Sequence, residues 1–290
     1  MSAPDPLAAI AAVRRACLVA DGHDPVDEAV HLRLKHRGLD ATDSWVEDDG
    51  FALRHAAALD LAVAPDARGA GLGGRLAALA TADDGPLAAW SHGDHPAARR
   101  LAARLGFART RELWVMRRPA AVPLPEVAVP PGVTIRGFEP ADADAVLAVN
   151  AAAFAHHPEQ GAMSMADLEE RRAEPWFDPA GLLLAVDEDG ALLGFHWTKQ
   201  HDAEHGEVYV VGVSPDAHGR GLGKALTIAG LRYLAACRIE QVHLFVESDN
   251  EPALRLYSGL GFTHQPADTH VQYERTSHQP QPSHEAPSHR

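Results

Sequence analysis

Residues 211–226 read VGVSPDAHGRGLGKAL, and residues 61–76 read LAVAPDARGAGLGGRL. Gly71 stands to Gly221 at an offset of 221 − 71 = 150 residues, the period of a domain rather than of a solenoid repeat. A second block follows each copy. Asp94-His95-Pro96-Ala97-Ala98-Arg99 leads to Leu105-Gly106-Phe107, and Asn250-Glu251-Pro252-Ala253-Leu254-Arg255 leads to Leu260-Gly261-Phe262. Two ordered blocks at nearly one offset mark a duplication.

Working outward from the repeat, residues 119–132 (PAAVPLPEVAVPPG) hold five prolines, which prevent helix and favour an extended spacer. The expected domains are therefore 1–118 and 133–275, with 119–132 as linker and a polar, Pro-rich tail over 276–290 expected to be disordered. In the second copy, strand-like runs (Val133–Arg136, Leu182–Val186, Leu192–Trp197, Glu207–Val213, Val242–Val246, Val271–Tyr273) mix with helix-like ones (Asp142–Phe154, Gly223–Cys237, Pro252–Gly259). Hairpins alternate with crossovers, so the fold class is α/β with a mixed, mostly antiparallel sheet flanked by helices in each domain. The first copy looks trimmed, with Trp45–Leu53 as its early hairpin.

Each glycine loop follows a strand and a Pro-Asp turn and opens a helix. Glycines there let successive backbone N–H groups turn toward one anion, and the helix start adds about half a positive charge. A dinucleotide fingerprint matches in the first copy (Gly69, Gly71, Gly74), but Lys224 breaks it in the second. A P-loop would need glycine at His218 and Ser or Thr at Ala225. What survives in both copies is Gly-x-Gly-x-Gly.

Composition excludes several classes. The 290-residue chain has a formal net charge of −14, which argues against a nucleic-acid partner. No apolar run approaches the roughly 18–20 residues of a membrane span, and residues 1–5 (MSAPD) lack a charged secretion signal. Cys17 and Cys237 are too few for a disulfide framework and read as reduced core residues of a cytoplasmic protein. His196, His201 and His205 read as a polar hairpin, and no metal is expected.

The loop with its downstream Asn…Ala…Tyr…Leu-Gly-Phe block resembles the GNAT superfamily of acyl-CoA N-acyltransferases, over both halves of the chain. The resemblance implies acetyl-CoA as co-substrate. It also implies that the loop binds pyrophosphate and that the preceding strand splays from its neighbour to hold the thioester carbonyl. Carried over, the second site is Val211, Gly212 and Val213, then His218, Gly219, Arg220, Gly221, Leu222, Gly223 and Lys224, with Asn250. The first is Leu61, Ala62 and Val63, then Arg68, Gly69, Ala70, Gly71, Leu72 and Gly73. His218 departs from the usual Gln or Arg.

Acetyl transfer needs a neutral amine and a route for protons. A carboxylate early in the strand before the loop and a hydroxyl near the thiol suit those roles, and the second copy has Glu207 and Tyr257. At matched positions the first copy has Ala57 and either Ala102 or Leu101, so it keeps the cradle without the chemistry. Deprotonating an α-amine at pH 7 costs about 1–1.4 kcal/mol, against about 4.6 for a lysine, so a glutamate suffices for an α-amine.

Within that superfamily, Phe154-Ala155-His156-His157-Pro158-Glu159-Gln160-Gly161, Gly194-Phe195-His196-Trp197-Thr198-Lys199 and Gly206-Glu207-Val208-Tyr209-Val210-Val211-Gly212-Val213 are similar to the mycothiol synthase family. That resemblance implies acetylation of a small-molecule acceptor, cysteinyl-glucosaminyl-inositol. Neither cysteine lies in a motif, so attack is expected to be direct in a ternary complex without an acyl-enzyme, and the protein is expected to be a monomer. The resemblance also implies substrate contacts from Glu159, Lys199, Glu207 and Glu28, with Phe245 where relatives offer a tyrosine. Another small amine, a peptide N-terminus, or a non-catalytic acetyl-CoA-binding module remain the alternatives.

Overall fold

The computed structural model describes residues 5–156 and 158–276, the side chains of Pro158 and Glu159 excepted. The chain forms two compact units: Met1–Leu113 with Ala267–Arg290, and Trp114–Pro266. This division runs differently from the domains 1–118 and 133–275 expected from the sequence. The final strand is the reason: it was expected over Val271–Tyr273 but extends over Thr263–Arg275, and its second half pairs in the first unit. The tail expected from 276 lies, from residue 277 onward, outside the described residues.

In the first unit, α1 (Pro6–Asp21) and α2 (Glu28–Arg37) precede the antiparallel meander β1 (Asp43–Glu47), β2 (Gly50–His55) and β3 (Ala58–Val63). Then come α3 (Leu72–Ala80), β4 (Leu87–Ser91), α4 (Pro96–Arg104) and β5 (Ala108–Pro119). Asp27 starts α2 because its carboxylate accepts from the Val30 N–H at 2.8 Å, leaving Glu28 as the first helical residue. One sheet face packs Ile10, Val13 and Cys17 of α1 against Phe51 and Leu53. The other packs Leu72, Leu76 and Ala80 of α3 against Leu59, Leu87, Val271 and Tyr273.

The second unit continues with β6 (Val133–Gly137), α5 (Ala143–Ala153), the short α6 (Pro158–Gly161), α7 (Met165–Arg172), β7 (Leu182–Asp187), β8 (Leu192–Gln200) and β9 (His205–Val213). It closes with α8 (Leu222–Ala236), β10 (Gln241–Glu247), α9 (Glu251–Gly259) and the start of β11 (Thr263–Arg275). Its strand order is β5-β10-β9-β8-β7-β6. The β6 to β9 pairs are antiparallel, and β9 runs parallel to β10 as a crossover through α8 requires. Apolar residues clothe both faces. Val208, Ile228, Leu231, Leu244 and Phe262 form one core under α8 and α9, and Val146, Leu168, Leu184, Phe195 and Trp197 form the other under α5 and α7. Each such side chain contributes roughly 1.5–3 kcal/mol by leaving water.

The proline-rich stretch is not a free spacer. Leu124 and Val127 pack on the α8 core, and the Pro125 carbonyl accepts from Arg232 at 2.9 Å. Arg118 is 1% exposed and donates to the carbonyls of Leu260 (2.7 Å), Pro119 and Val122, tying this stretch to the Leu-Gly-Phe turn. Gly261 takes φ +89° there, a left-handed conformation that other residues rarely adopt.

Candidate active site

Both glycine loops adopt the geometry that their sequence demands. Gly219 and Gly221 have φ +75° and +79°, and Gly69 and Gly71 have +85° and +87°. A side chain at any of the four would meet nothing within 4 Å, so the backbone conformation and not crowding selects glycine. Neither α8 nor α3 has a side-chain cap or an acidic residue in its first turn. Uncapped N–H groups and an open approach fit an anionic pyrophosphate. Leu222 anchors its loop in the core beside Ala217 and Leu226, while His218, Gly219, Arg220, Gly221 and Lys224 are exposed.

The departure at His218 keeps a structural tie. Its Nε2–H donates to the Val213 carbonyl at 3.1 Å, as Arg68 Nε donates to the Val63 carbonyl at 3.1 Å. Arg68 also grips Asp21 through both nitrogens, at 2.8 and 2.5 Å, which holds the Asp21 carboxyl below its ordinary range. In the first unit a cavity of about 480 Å³ gathers Leu61, Ala62, Val63, Arg68, Gly69, Gly71, Leu72 and Gly73, along with Arg100 and Arg104. Ala70 is exposed and outside that lining.

The expected splay is present in the second unit. The parallel register of β9 and β10 runs from His205 and Gln241 to Val208 and Leu244 and stops there. Beyond it, Tyr209–Val213 lacks this partner, and Val211 and Val213 are only partly buried. A bulge begins at the same place: Thr198 pairs with Val208 but Trp197 with Val210, so Tyr209 is the extra residue. In the first unit, β3 and β4 meet in parallel only at Ala58 and Ala88.

Glu207 lies one residue before the end of the β9–β10 pairing and is 5% exposed. In register it faces Lys199 on β8 and His243 on β10. Its Oε2 is 2.7 Å from His201 Nε2 and 3.7 Å from His243 Nε2. Burial is the largest influence on this carboxyl and opposes its charge. His201, His243 and Lys199 together outweigh it and hold the group below its usual value. Burial pushes His243 down to about 4, so it is neutral near pH 7. Lys199 is itself buried, its Nζ lying 4.9 Å over the Trp176 ring and 5.3 Å over that of Tyr209.

Tyr257 packs on the core under α8 and α9, edge-on to Phe262 at 5.8 Å. Burial raises its hydroxyl to about 12, so it carries its proton at every working pH. Val208 points into that same core, whereas Glu207 points to the other face of β9. The acid and the tyrosine thus lie on opposite faces of the sheet. Asn250 caps α9, its Oδ1 accepting from the Ala253 N–H at 3.2 Å. Phe245 is 42% exposed on the Glu207 side of β10. Glu28 sits in the first unit at the start of α2, and the Glu159 side chain lies outside the described set.

The three hairpin histidines do not converge. His196 is fully buried with Nδ1–H donating to the Leu226 carbonyl at 2.9 Å, and His205 bonds Asp202 at 3.0 Å. His201 instead joins His243 beside Glu207, a grouping the sequence reading missed. The signal was available: on β10, Val242, Leu244 and Val246 face the core, which leaves His243 on the Glu207 face. These three ligand-type atoms lie within 4.8 Å of one another, but His201 already bonds Glu207 and Lys199 supplies the neighbouring positive charge. Also missed was Asp60 on β3, whose carboxyl burial raises to about 7.

Residues 149–262 match the acetyltransferase (GNAT) family. The chain is 57% identical to a mycothiol acetyltransferase of Nocardioides sp., over 94% of this chain and 99% of that one. It is 48% identical to the mycothiol acetyltransferase of Salinispora arenicola, over 94% of each. Among solved structures, a GCN5-related N-acetyltransferase from Sphaerobacter thermophilus is 25% identical with a TM-score of 0.65, covering 93% of both chains. A tandem GNAT protein from the clavulanic acid biosynthesis pathway shares the fold over 97% of this chain and 98% of that one, at 19% identity and a TM-score of 0.69. With two glycine cradles, a splayed strand and relatives this near over nearly its full length, the chain belongs to the mycothiol acetyltransferase family and is an acetyl-CoA-dependent acetyltransferase.

Proposed function

We propose that the second unit transfers acetyl from acetyl-CoA to the cysteinyl α-amine of cysteinyl-glucosaminyl-inositol, giving mycothiol and CoA by direct attack in a ternary complex. The observation that carries this reading is the buried Glu207 carboxylate at the point where β9 and β10 part, where the first unit has Ala57. The loop His218–Lys224 receives the pyrophosphate, and the unpaired edge Val211–Val213 offers backbone groups to the pantetheine arm and thioester. Glu207 draws the proton from the amine, the amine nitrogen bonds the acetyl carbon, and the C–S bond breaks. Tyr257 then protonates the departing thiolate. Lys199, Glu159 and Phe245 are the proposed acceptor contacts in the second unit, and the first unit binds acetyl-CoA without chemistry.

CoA release from purified protein tests this, with cysteinyl-glucosaminyl-inositol set beside other small amines and a peptide N-terminus. A preference for the pseudodisaccharide of tenfold or more in kcat/KM is expected. Equal use of unrelated amines would remove the acceptor assignment, and full turnover by both Glu207→Gln and Tyr257→Phe would remove the roles.

A further inference from the structure

We propose that Trp176 is a positioning residue for the acetyl transfer: with Tyr209 it cages the Lys199 ammonium and so fixes where that charge meets the oxygens of the acceptor. The proposal deepens the function proposed above and rests on its assignment of Lys199 to the acceptor. Lys199 is 9% exposed. A lysine is a compact charge on a flexible four-carbon stem, and drawing it out of water is costly unless its surroundings favour the charge. Here two rings do so, with Nζ 4.9 Å from the Trp176 centroid and 5.3 Å from that of Tyr209.

The cage draws on three segments, each held by its own local chemistry. β8 carries Lys199 two residues after Trp197 and therefore on the same face, the one under α5 and α7. β9 supplies Tyr209 as the extra residue of its bulge. A bulged residue is released from the ladder, so its ring needs another anchor. Arg171 in the last turn of α7 provides it, its Nε donating to the Tyr209 hydroxyl at 2.8 Å and its Nη1 to the Asp167 carbonyl at 3.0 Å. α7 is seated in turn by the fully buried Leu168 and by the capping box of Ser164 and Asp167. Trp176 follows α7. It packs edge-on to Tyr209 at 5.4 Å and tilted to the buried Trp197 at 5.8 Å.

Packing alone does not account for a lysine here. An aliphatic side chain at position 199 would fill the space against the rings without bringing a charge into it. The charge stands in register with Glu207 and acts on that carboxylate through its field, whereas His201 acts through a hydrogen bond. An aromatic face attracts an ammonium without the fixed direction of an N–H···O bond. The cage thus sets the position of Nζ without dictating the oxygen it meets. Hydroxyl and amide carbonyl oxygens, both present on the proposed acceptor, are the class of group to which a lysine donates.

The test separates the ring's hold on a charge from its bulk. Trp176 is replaced site-specifically by mono-, di- and trifluorotryptophan, which keep the ring's shape and weaken its attraction for a cation stepwise. The series is measured in the wild-type chain and in Lys199→Met by steady-state CoA release with cysteinyl-glucosaminyl-inositol. Calorimetric titration of the acceptor into the CoA complex reads the same contrast where turnover is too slow. In the wild-type chain the acceptor KM should climb with each fluorine, to about tenfold for the trifluoro ring, with kcat and the KM for acetyl-CoA within about twofold. In Lys199→Met the series should be level within about twofold. Trp176→Phe should recover part of the affinity lost in Trp176→Leu. A level series in the wild-type chain overturns the proposal, as does an equal climb in Lys199→Met or a loss confined to kcat. If wild type prefers a different amine, the acceptor assignment fails instead, and the same series with that amine decides the cage.

Discussion

The imidazole of His196 occupies the space that any side chain on Gly230 would need. A Cβ built on Gly230 would lie 2.1 Å from both Cε1 and Nδ1 of His196. The ring can approach α8 this closely only because the helix offers bare backbone there, and its Nδ1–H reaches the Leu226 carbonyl four residues earlier.

Gly230→Ala should therefore destabilise the second unit, although alanine is the better helix former by roughly 1 kcal/mol. Overpacking a rigid, fully buried ring outweighs that gain, for a net loss of about 1–3 kcal/mol. Urea unfolding followed by tryptophan fluorescence measures it, and an unchanged midpoint would show that the ring yields.

His196 also makes a pH prediction. Burial lowers it to about 4, so the folded chain leaves it neutral while the unfolded chain protonates it near 6.5. Below 6.5 the unfolded state binds more protons, and stability falls as pH drops from about 6.5 to 4, by at most about 1.4 kcal/mol per pH unit for this one group. His196→Gln should flatten that slope in urea titrations at pH 4.5, 5.5 and 6.5.

Asp60 runs the other way. Its carboxyl is raised to about 7, chiefly by burial and then by Asp27, so the folded protein holds a proton that the unfolded chain has released above pH 4. Stability from this group is present at low pH and lost as pH climbs toward 7 and above. Asp60→Asn mimics the neutral acid and should gain on the order of 1 kcal/mol at pH 8 with little change at pH 4.5. Thermal melts at the two values decide it.

Tyr257→Phe should lower kcat by about 10- to 100-fold, with the KM for acetyl-CoA nearly unchanged, because only the leaving thiolate is affected. Since the hydroxyl holds its proton to about 12, wild type should show no alkaline decline from this residue up to pH 10. A stopped-assay pH profile of both proteins checks the two statements together.

At Gly221 the strain is in the backbone. Gly221→Val forces a β-branched residue into φ +79° at the start of α8 and should raise the KM for acetyl-CoA at least tenfold. Equilibrium dialysis should count two acetyl-CoA per wild-type chain and one for this variant.

The glycine turns, the helices they open and the positions of β6 to β10 along the chain were all legible, because each depends on local chemistry: a turn, a left-handed glycine, a periodicity. The contrast of Glu207 with Ala57 was visible in the repeat, and the structure buries Glu207 beside the end of the β9–β10 pairing. The company Glu207 keeps was not legible, since His201 lies in a polar turn and His243 arrives on a strand 36 residues further on. Only the parallel register of β9 and β10 joins them. The extent of β11 was hidden for a related reason. Its first half reads THQPAD, a turn-like run with Pro266 and no alternation, yet it is strand through Thr263–Arg275.

That strand reverses the order in which the molecule can be completed. The first unit draws Ala267 onward from the far end of the chain, and Val271 and Tyr273 fill its core beside Leu59 and Leu87. During synthesis the residues up to Leu113 must wait, one core wall missing, until Val271 and Tyr273 emerge. No single scission yields the unit whole; an autonomous version would have to be a permuted gene that carries the last strand to the front.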